Sequence, residues 1–462
     1  MKSKAEVMYA TMTPWKLFFV VAIPGMVSMF AMSVYVVIEG IFIGQKLGEG
    51  AFAAVNIAMP LVMINFSLSD LIGVGASVPI SIALGKNDKQ TANNVFSCSL
   101  VLIFLTSLFM GSVMFFAAEP LAMMMGADDV LLETSVRYLR TFALTSPLTT
   151  VFFAMDNYLK ISGFVKTSMV INVVSNILTA ILLAFFLLVL EMDVVGSALA
   201  TSLTMCLSSL VAMIPFLAKK TVLKLVKPKF SINMIKEISA CGSPIFLSNI
   251  SGRVTSILIN VSLMALGVKY LGENGGTTAV AVYAVLMYAS DMCWPLLYGI
   301  SDALAPAIGY NWGAKDYKRV KKIVFTNYIG TCVVGVISSS LLFIFPRTVA
   351  SMFANAKDVK LLELSAHAIR LFCITYLFRW FAVTTQSFLS AIEKPVHATV
   401  MSVAVAFVFP LIILGVLWGF GLDGIWLNMT GTAILSVFLA IILLKGVSKE
   451  IKRRESGEYK EG

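Results

Sequence analysis

Long apolar blocks alternate with short polar breaks along the whole chain. Read in windows, they fall at roughly 15–44, 51–81, 94–118, 134–159, 164–190, 195–217, 239–267, 279–311, 323–345, 362–390, 396–418 and 424–445. About 20 apolar residues cross the hydrocarbon core of a bilayer as a helix, so the pattern predicts twelve membrane crossings. Longer blocks imply tilt or ends that project into water. The expected fold class is therefore all-α and integral to the membrane.

The second six blocks echo the first six. Leu84-Gly85-Lys86-Asn87-Asp88 and Trp312-Gly313-Ala314-Lys315-Asp316 each follow the second block of their half, 228 residues apart. Gly196-Ser197-Ala198-Leu199 and Gly424-Ile425-Trp426-Leu427 keep that offset, and Tyr158-Leu159 and Phe388-Leu389 lie at 230. An even number of crossings per repeat gives both halves one orientation. The expectation is two six-helix bundles related by a pseudo-two-fold axis along the membrane normal, with a cavity between them. Residues 1–217 form the first bundle in this reading, 218–238 a basic linker, 239–445 the second bundle and 446–462 a charged tail.

Composition removes the alternatives. Of 462 residues, 58% are hydrophobic and 13% charged, and the mean hydropathy is +0.89. A soluble domain of that balance lacks the polar surface to cover itself. The chain opens on Met1-Lys2-Ser3-Lys4 and a first block too long, and without small-residue cleavage sites, for a signal peptide. The net charge of +10 is topological. Lys219, Lys220, Lys224, Lys227, Lys229 and Lys236 crowd the linker. Lys315, Lys318, Arg319, Lys321 and Lys322 follow block eight, and Lys445, Lys449, Lys452, Arg453, Arg454 and Lys460 fill the tail. The opposite loops hold few bases (Lys46, Lys269, Arg347, Lys357, Lys360) beside Glu119, Asp128, Asp129, Glu191 and Asp193. Excess lysine and arginine stay in the cytoplasm, so both termini are expected there, in a bacterial inner (plasma) membrane. The bilayer, with its anionic lipid, is the partner of these bases, and nucleic acid is not. The linker reads as an amphipathic segment on the membrane surface, with Leu223, Val226, Phe230 and Ile235 toward lipid.

Six scattered cysteines and two isolated histidines (His367, His397) suggest neither disulfides nor a metal centre. Proline inside many spans (Pro24, Pro60, Pro79, Pro147, Pro244, Pro295, Pro306, Pro410) and the Gly73/Gly75 pair suit helices that bend between two states, although plain packing explains any single one. Most of the 25 methionines face lipid or fill core. Met32 and Met63, with Tyr35, are candidates to line a cavity that accepts varied shapes.

An ionisable group at mid-membrane costs on the order of 3 kcal/mol and is a functional candidate by default. Glu39, Asp70, Asp156, Asp291 and Asp302 qualify among the acids, and Arg253 and Arg379 among the bases. Arg137, Arg140 and Arg370 lie nearer span ends, where they can reach the interface. Glu39 stands in Tyr35-Val36-Val37-Ile38-Glu39-Gly40-Ile41-Phe42-Ile43-Gly44 without a basic residue within a turn. A carboxyl buried without a cation holds its proton more firmly than one in water, so Glu39 is a candidate proton carrier. The competing reading is a structural hydrogen-bond donor.

Those residues resemble a family. The acid-to-Phe-Ile-Gly pattern from Glu39 to Gly44, Leu47-Gly48 with Ala53-Ala54, and Pro306-Ala307-Ile308-Gly309-Tyr310-Asn311-Trp312-Gly313-Ala314 occur in the order seen in multidrug and toxic compound extrusion (MATE) transporters of the MOP superfamily. The likeness covers nearly the whole chain. It implies no enzyme activity and no cofactor beyond a coupling ion. It implies rocker-switch antiport of bulky apolar, often cationic, small molecules against protons, with sodium open, by a chain that works as a monomer.

In the proton-coupled branch of that family the ion network uses an acid on helix 1, Asn on helix 4, Asn and Asp on helix 5, and Thr on helix 6. The resemblance carries these roles onto Glu39, Asn157, Asn176 and Thr201. The helix 5 acid falls on Ala180, so one of the two expected carboxylates is missing, which favours a one-proton step, although Asp156 beside Asn157 could supply a second. In the sodium-coupled branch carboxylates sit on helices 7 and 10, where Gly252 and Arg379 stand, with Arg253 adjacent. Two cations there speak against a sodium site. The favoured reading pairs Arg253 and Arg379 with Asp291 or Asp302, and the alternative is a substrate site tolerant of anions or zwitterions. Asp70 and Asp302 complete the cavity candidates. The nearest competing function is a flippase for lipid-linked precursors, with the two arginines on a diphosphate.

The charge pattern predicts that a reporter active only outside the cytoplasm, fused after Glu455 or within 219–230, stays silent. The same reporter at residue 191 is expected to be active, and the reverse result inverts the topology.

Overall fold

In a computed structural model the structure describes residues 3–353 and 358–456, without the side chains of residues 41, 44, 45, 48, 49, 52, 129 and 130. Met1, Lys2, Lys357, Lys460 and the end of the charged tail, all used in the reading above, lie outside the described residues. So do the side chains of Ile41, in the Glu39-to-Gly44 motif, and of Asp129.

The described residues form helices and no strand, and the spans follow the apolar blocks. Ten helices are long and apolar enough to cross a membrane, among them Pro14–Gly40, Ala53–Gly85, Lys89–Phe116, Val165–Val189 and Val194–Leu217. An eleventh span is broken. Val359–Phe372 and Thr375–Ala391 meet at a 50° bend. Block 134–159 is built from two helices, Asp129–Thr149 and Val151–Ile161. It carries more charges than a plain span, and its two arginines are engaged. Arg137 pairs with Asp193 at 2.5 Å, and Arg140 donates to the Phe115 carbonyl over the Phe115 ring.

The chain divides into two compact units. One comprises Met1–Phe246 with Gly309–Lys315, the other Leu247–Ile308 with Asp316–Gly462. The division falls inside the helix Ile232–Leu271 and not in the linker. Side chains such as Phe109, Ile257, Phe343 and Ile442 stand exposed on the helices, as lipid-facing positions require. The first unit is centred on Phe96, Tyr158, Met155, Ile80 and Phe216, and the second on Tyr376, Phe372, Leu286, Leu263 and Trp426.

The internal echo has a local structural cause. Asn87 and Lys315 both take a left-handed conformation, at φ 61° and 58°. The next residues, Asp88 and Asp316, both cap the following helix by accepting a backbone N–H, from Thr91 and from Arg319, at 3.0 Å. The turn that reverses the chain and starts the third span is therefore the same in each repeat. Asp88 lies outside the spans, and its hydrogen bonds from Thr91 hold its carboxyl below the usual range. Within the first unit, repeat-equivalent glycines also cross reciprocally. A Cβ on Gly85 would lie 1.9 Å from the Tyr310 carbonyl oxygen, and one on Gly313 would lie 2.1 Å from that of Ile82. Backbones approach so closely only through glycine.

The linker differs from expectation. Residues 220–231 form no helix but an extended strap across the start of the Lys89–Phe116 helix. The Asn93 side chain accepts the Lys224 N–H at 2.8 Å, Ser97 that of Val226 at 2.9 Å, and Asn94 that of Lys229 at 2.8 Å. Leu223, expected toward lipid, is fully buried in the first unit's core, while Val226, Phe230 and Ile235 stay exposed. Pro228 helps exclude a helix, and three side chains supply the partners a strand would have found in a sheet.

Adding a side chain at the glycine crossing forces backbones apart. Gly85→Val or Gly313→Val is expected to destabilise the protein by about 1–3 kcal/mol, read as a lower melting temperature in detergent. Gly446→Ala, with nothing within 4 Å of the new Cβ, should leave it unchanged.

Candidate functional site

Glu39 sits near the end of the Pro14–Phe42 helix, 9% exposed. Tyr35 lies one turn earlier on the same face. On the Val194–Leu217 helix, Ser197 and Thr201 are also one turn apart. The two pairs interlock. Ser197 donates to the Glu39 carboxylate (Oγ to Oε1, 3.0 Å), and the Tyr35 hydroxyl bonds the Thr201 hydroxyl at 2.9 Å. Numbers rise along one helix as they fall along the other, so the helices run antiparallel and the i, i+4 pairs form a two-rung ladder. The Tyr35 hydroxyl and the buried ring of Tyr138 also lie close enough to act on the Glu39 charge. No lysine, arginine or histidine pairs with Glu39 among the described residues.

Glu39 is also placed at a change in helix geometry. The Ile43 N–H is shared between the carbonyls of Glu39 and Gly40, and the helix widens into a π-type turn over Ile43–Leu47. Single π-type turns inside α-helices occur frequently at functional sites.

Other expected members of the ion network are elsewhere engaged. Asn157 donates to its own helix, at the Phe153 carbonyl (3.3 Å), and Asn176 to the Asn172 carbonyl (2.9 Å). The structure brings neither to Glu39. Asp156, expected as a second coupling acid, is taken up by a separate cluster. It pairs with Lys160 at 2.7 Å and accepts from Asn172 at 2.6 Å and from Ser168. Sequence reading passed over Lys160, which is 3% exposed, because a lysine near a span end ordinarily reaches water. Here its backbone carbonyl accepts the Tyr9 hydroxyl, and the Asn311 side chain donates to the Tyr9 carbonyl at 3.0 Å. The pair is thus closed in by the N-terminal residues. Ser197 was also missed. Its signal was available, since it stands one turn before Thr201 at the start of the same span.

Among the cavity candidates, Met32 is exposed and Met63 half-buried. Tyr35 belongs to the Glu39 ladder and not to an open wall, because its hydroxyl needs a partner in hydrocarbon. Asp70 and Asp302 are half-buried. The favoured pairing of the arginines is overturned. Arg253 and Asp291 are both exposed on their helices, and neither makes an ion pair among the described residues. Arg379 does not pair either. Its guanidinium lies over the Trp294 ring, 4.2 Å from the centroid, and its buried Nε has no hydrogen-bond partner. The bend between Phe372 and Thr375 comes shortly before Arg379, in its own span. A stacked cation gains about 0.5–2 kcal/mol, less than the roughly 3 kcal/mol cost of a charge at mid-membrane.

The MatE family model matches the chain twice, over residues 24–186 and 253–415. The chain belongs to the MatE family. One match falls in each half, at close to the spacing of the sequence echoes, so the repeat is a property of the family. Over 92% of its length this MatE chain is 24% identical to the multidrug export protein MepA of Staphylococcus saprophyticus, and 25% identical to that of Staphylococcus aureus, covering 92% of each relative. Among solved structures, a multidrug resistance MATE family transporter of the MOP superfamily superposes with a TM-score of 0.89 at 21% identity, covering 98% of this chain and all of that one. A MOP superfamily transporter from Pyrococcus furiosus gives 0.85 at 21%, covering 98% of this chain and all of that one. These structures establish a shared transporter fold. The protein is thus a multi-pass membrane protein of a transporter family.

The buried Asp156–Lys160 pair makes a test of placement. Asp156→Asn or Lys160→Met alone leaves a charge uncompensated and is expected to cost about 3–5 kcal/mol of stability. The double replacement should recover most of it. Additive losses on thermal unfolding would mean that the two charges do not hold each other.

Proposed function

We propose that this chain is a secondary active antiporter that exports bulky, apolar and often cationic small molecules by alternating access, coupled to proton entry through Glu39. Family membership and relatives named as multidrug export proteins support export. The observation that carries the coupling is the Glu39–Ser197, Tyr35–Thr201 ladder. An ionised carboxylate only accepts hydrogen bonds, whereas a protonated carboxyl gives one oxygen over to donation. Proton uptake on Glu39 therefore changes the bond it accepts from Ser197, next to a π-type turn of the kind often found at functional sites. A ligand shifts an equilibrium only by its differential affinity for the two states. Coupling follows if Glu39 binds its proton more tightly in one helix arrangement than in the other.

One proton per cycle is the consistent stoichiometry, because Asp156 is committed to Lys160 and position 180 is Ala. Exchange of one proton for one monocation is electroneutral and draws on the pH gradient alone. A second proton would add about 2.3 kcal/mol per 100 mV of membrane potential. Sodium fits the site less well. A hard cation wants several oxygen ligands, and Asn157 and Asn176 turn their amides into their own helices. One chain contains the whole ladder, so the protein works as a monomer in the inner membrane of a bacterium, both termini in the cytoplasm.

Everted vesicles given a cationic dye on the outside, the former cytoplasmic face, separate the ions. An imposed pH gradient is expected to drive transport, and an imposed sodium gradient without a pH difference is not. Glu39→Gln should abolish proton-driven transport while dye binding at equilibrium stays within about threefold, a change below 1 kcal/mol. Wild-type rates in that variant would remove Glu39 from the coupling.

A further inference from the structure

The second unit holds charges that the proton ladder does not use. Asp291, Trp294 and Tyr298 follow one another at i, i+3 and i+7 along the helix Gly275–Ala303, so they share a face. Trp294 and Tyr298 stack with centroids 6.0 Å apart and planes at 28°. Arg379 rests on Trp294 from the Thr375–Ala391 helix. The Tyr376 hydroxyl, on the same helix as Arg379, bonds Ser290, the chain neighbour of Asp291, at 3.3 Å. The two opposite charges therefore stand on contacting stretches of the two helices, yet no ion pair joins them among the described residues.

Stacking uses the face of a guanidinium. Its N–H groups lie in the plane and point outward from the ring beneath. Arg379 thus presents an unpaired, directional donor edge beside an aromatic surface, while Asp291 presents an exposed carboxylate on the same stripe. Charges within an apolar span face water or a partner. With no ion pair between them, the two charges flank the Trp294 ring open to a partner of their own.

We propose that Arg379, Trp294, Tyr298 and Asp291 form a subsite for an aromatic zwitterion, its carboxylate on the Arg379 edge, its ring along Trp294 and Tyr298, and its ammonium toward Asp291. The proposal rests on the export reading and names one substrate class for it. A purely cationic ligand meets the unpaired arginine, and a purely anionic one meets the aspartate. The subsite therefore selects for both charges at once, with the aromatic wall common to all three ligand types.

The test is equilibrium binding to the full chain in nanodiscs at neutral pH, with no ion gradient. Three radiolabelled probes share one ring: naphthylalanine, its methyl ester (a cation) and its N-acetyl form (an anion). Wild type is expected to bind naphthylalanine about tenfold or more tighter than either derivative, the scale of one charge-assisted contact. Arg379→Gln should erase the preference over the ester, and Asp291→Asn the preference over the acetylated form. Trp294→Leu should weaken all three. Arg379→Lys, which keeps the charge, should restore part of the preference if the glutamine variant does not fold. Equal binding of the probes by wild type, or a preference untouched in Arg379→Gln and Arg379→Lys, overturns the subsite. Because no gradient is present, failure here is distinct from failure of proton coupling, which only the vesicle experiment reads.

Discussion

A bilayer interior offers no hydrogen bonds, so every polar group carried into it brings its own partner or faces a cavity. That constraint orders this molecule. It makes each span a helix whose backbone satisfies itself. It also makes each buried side-chain oxygen or nitrogen informative, because a partner has to be built for it. Glu39 has Ser197. Tyr35 has Thr201. Asp156 has Lys160, Ser168 and Asn172. Arg379 has only a ring.

These arrangements serve different ends. The Asp156 cluster is charge-balanced and closed over by Tyr9 and Asn311, which suits a fixed structural joint. The Glu39 ladder is unbalanced and made of hydroxyls, whose hydrogens rotate freely. A group that gains and loses a proton needs neighbours that can reverse their roles, and Ser, Thr and Tyr hydroxyls both donate and accept. A lysine beside Glu39 would pin its charge. Among the described residues none stands there, whereas Lys160 pairs with Asp156, so one carboxyl is held as an ion pair and the other is not.

Glycine has a parallel role in the backbone. The repeat places Gly85 and Gly313 at equivalent points, and their reciprocal approach to Tyr310 and Ile82 is a self-complementary contact of the kind two-fold symmetry produces. The same repeat supplies the Asp88 and Asp316 caps. A duplicated sequence keeps such features in pairs, and departures mark where the halves have diverged. The Glu39 ladder lies in the first unit, and the Arg379–Trp294 stack in the second.

Hydropathy determined the fold class and the positions of the spans, and the residue echoes determined the repeat, because the cost of exposing polar backbone to lipid leaves one local solution for each apolar block. Glu39 was legible for the same reason, as an uncompensated acid inside such a block. The partners were not. Ser197 reaches Glu39 across 158 positions in the chain, and nothing in local spacing says which hydroxyl will face which helix. Asn157 and Asn176 carry the right chemistry on spans of the same unit, yet their amides bond one turn back within their own helices. The linker shows the limit on the other side. Its composition reads as surface-seeking, but the side chains of Asn93, Asn94 and Ser97 offered its backbone better partners, and Leu223 followed into the core. Which polar groups exist is a matter of sequence. Which of them meet is set by helix rotation and crossing, the sum of many long-range contacts, and only the tertiary structure decides it.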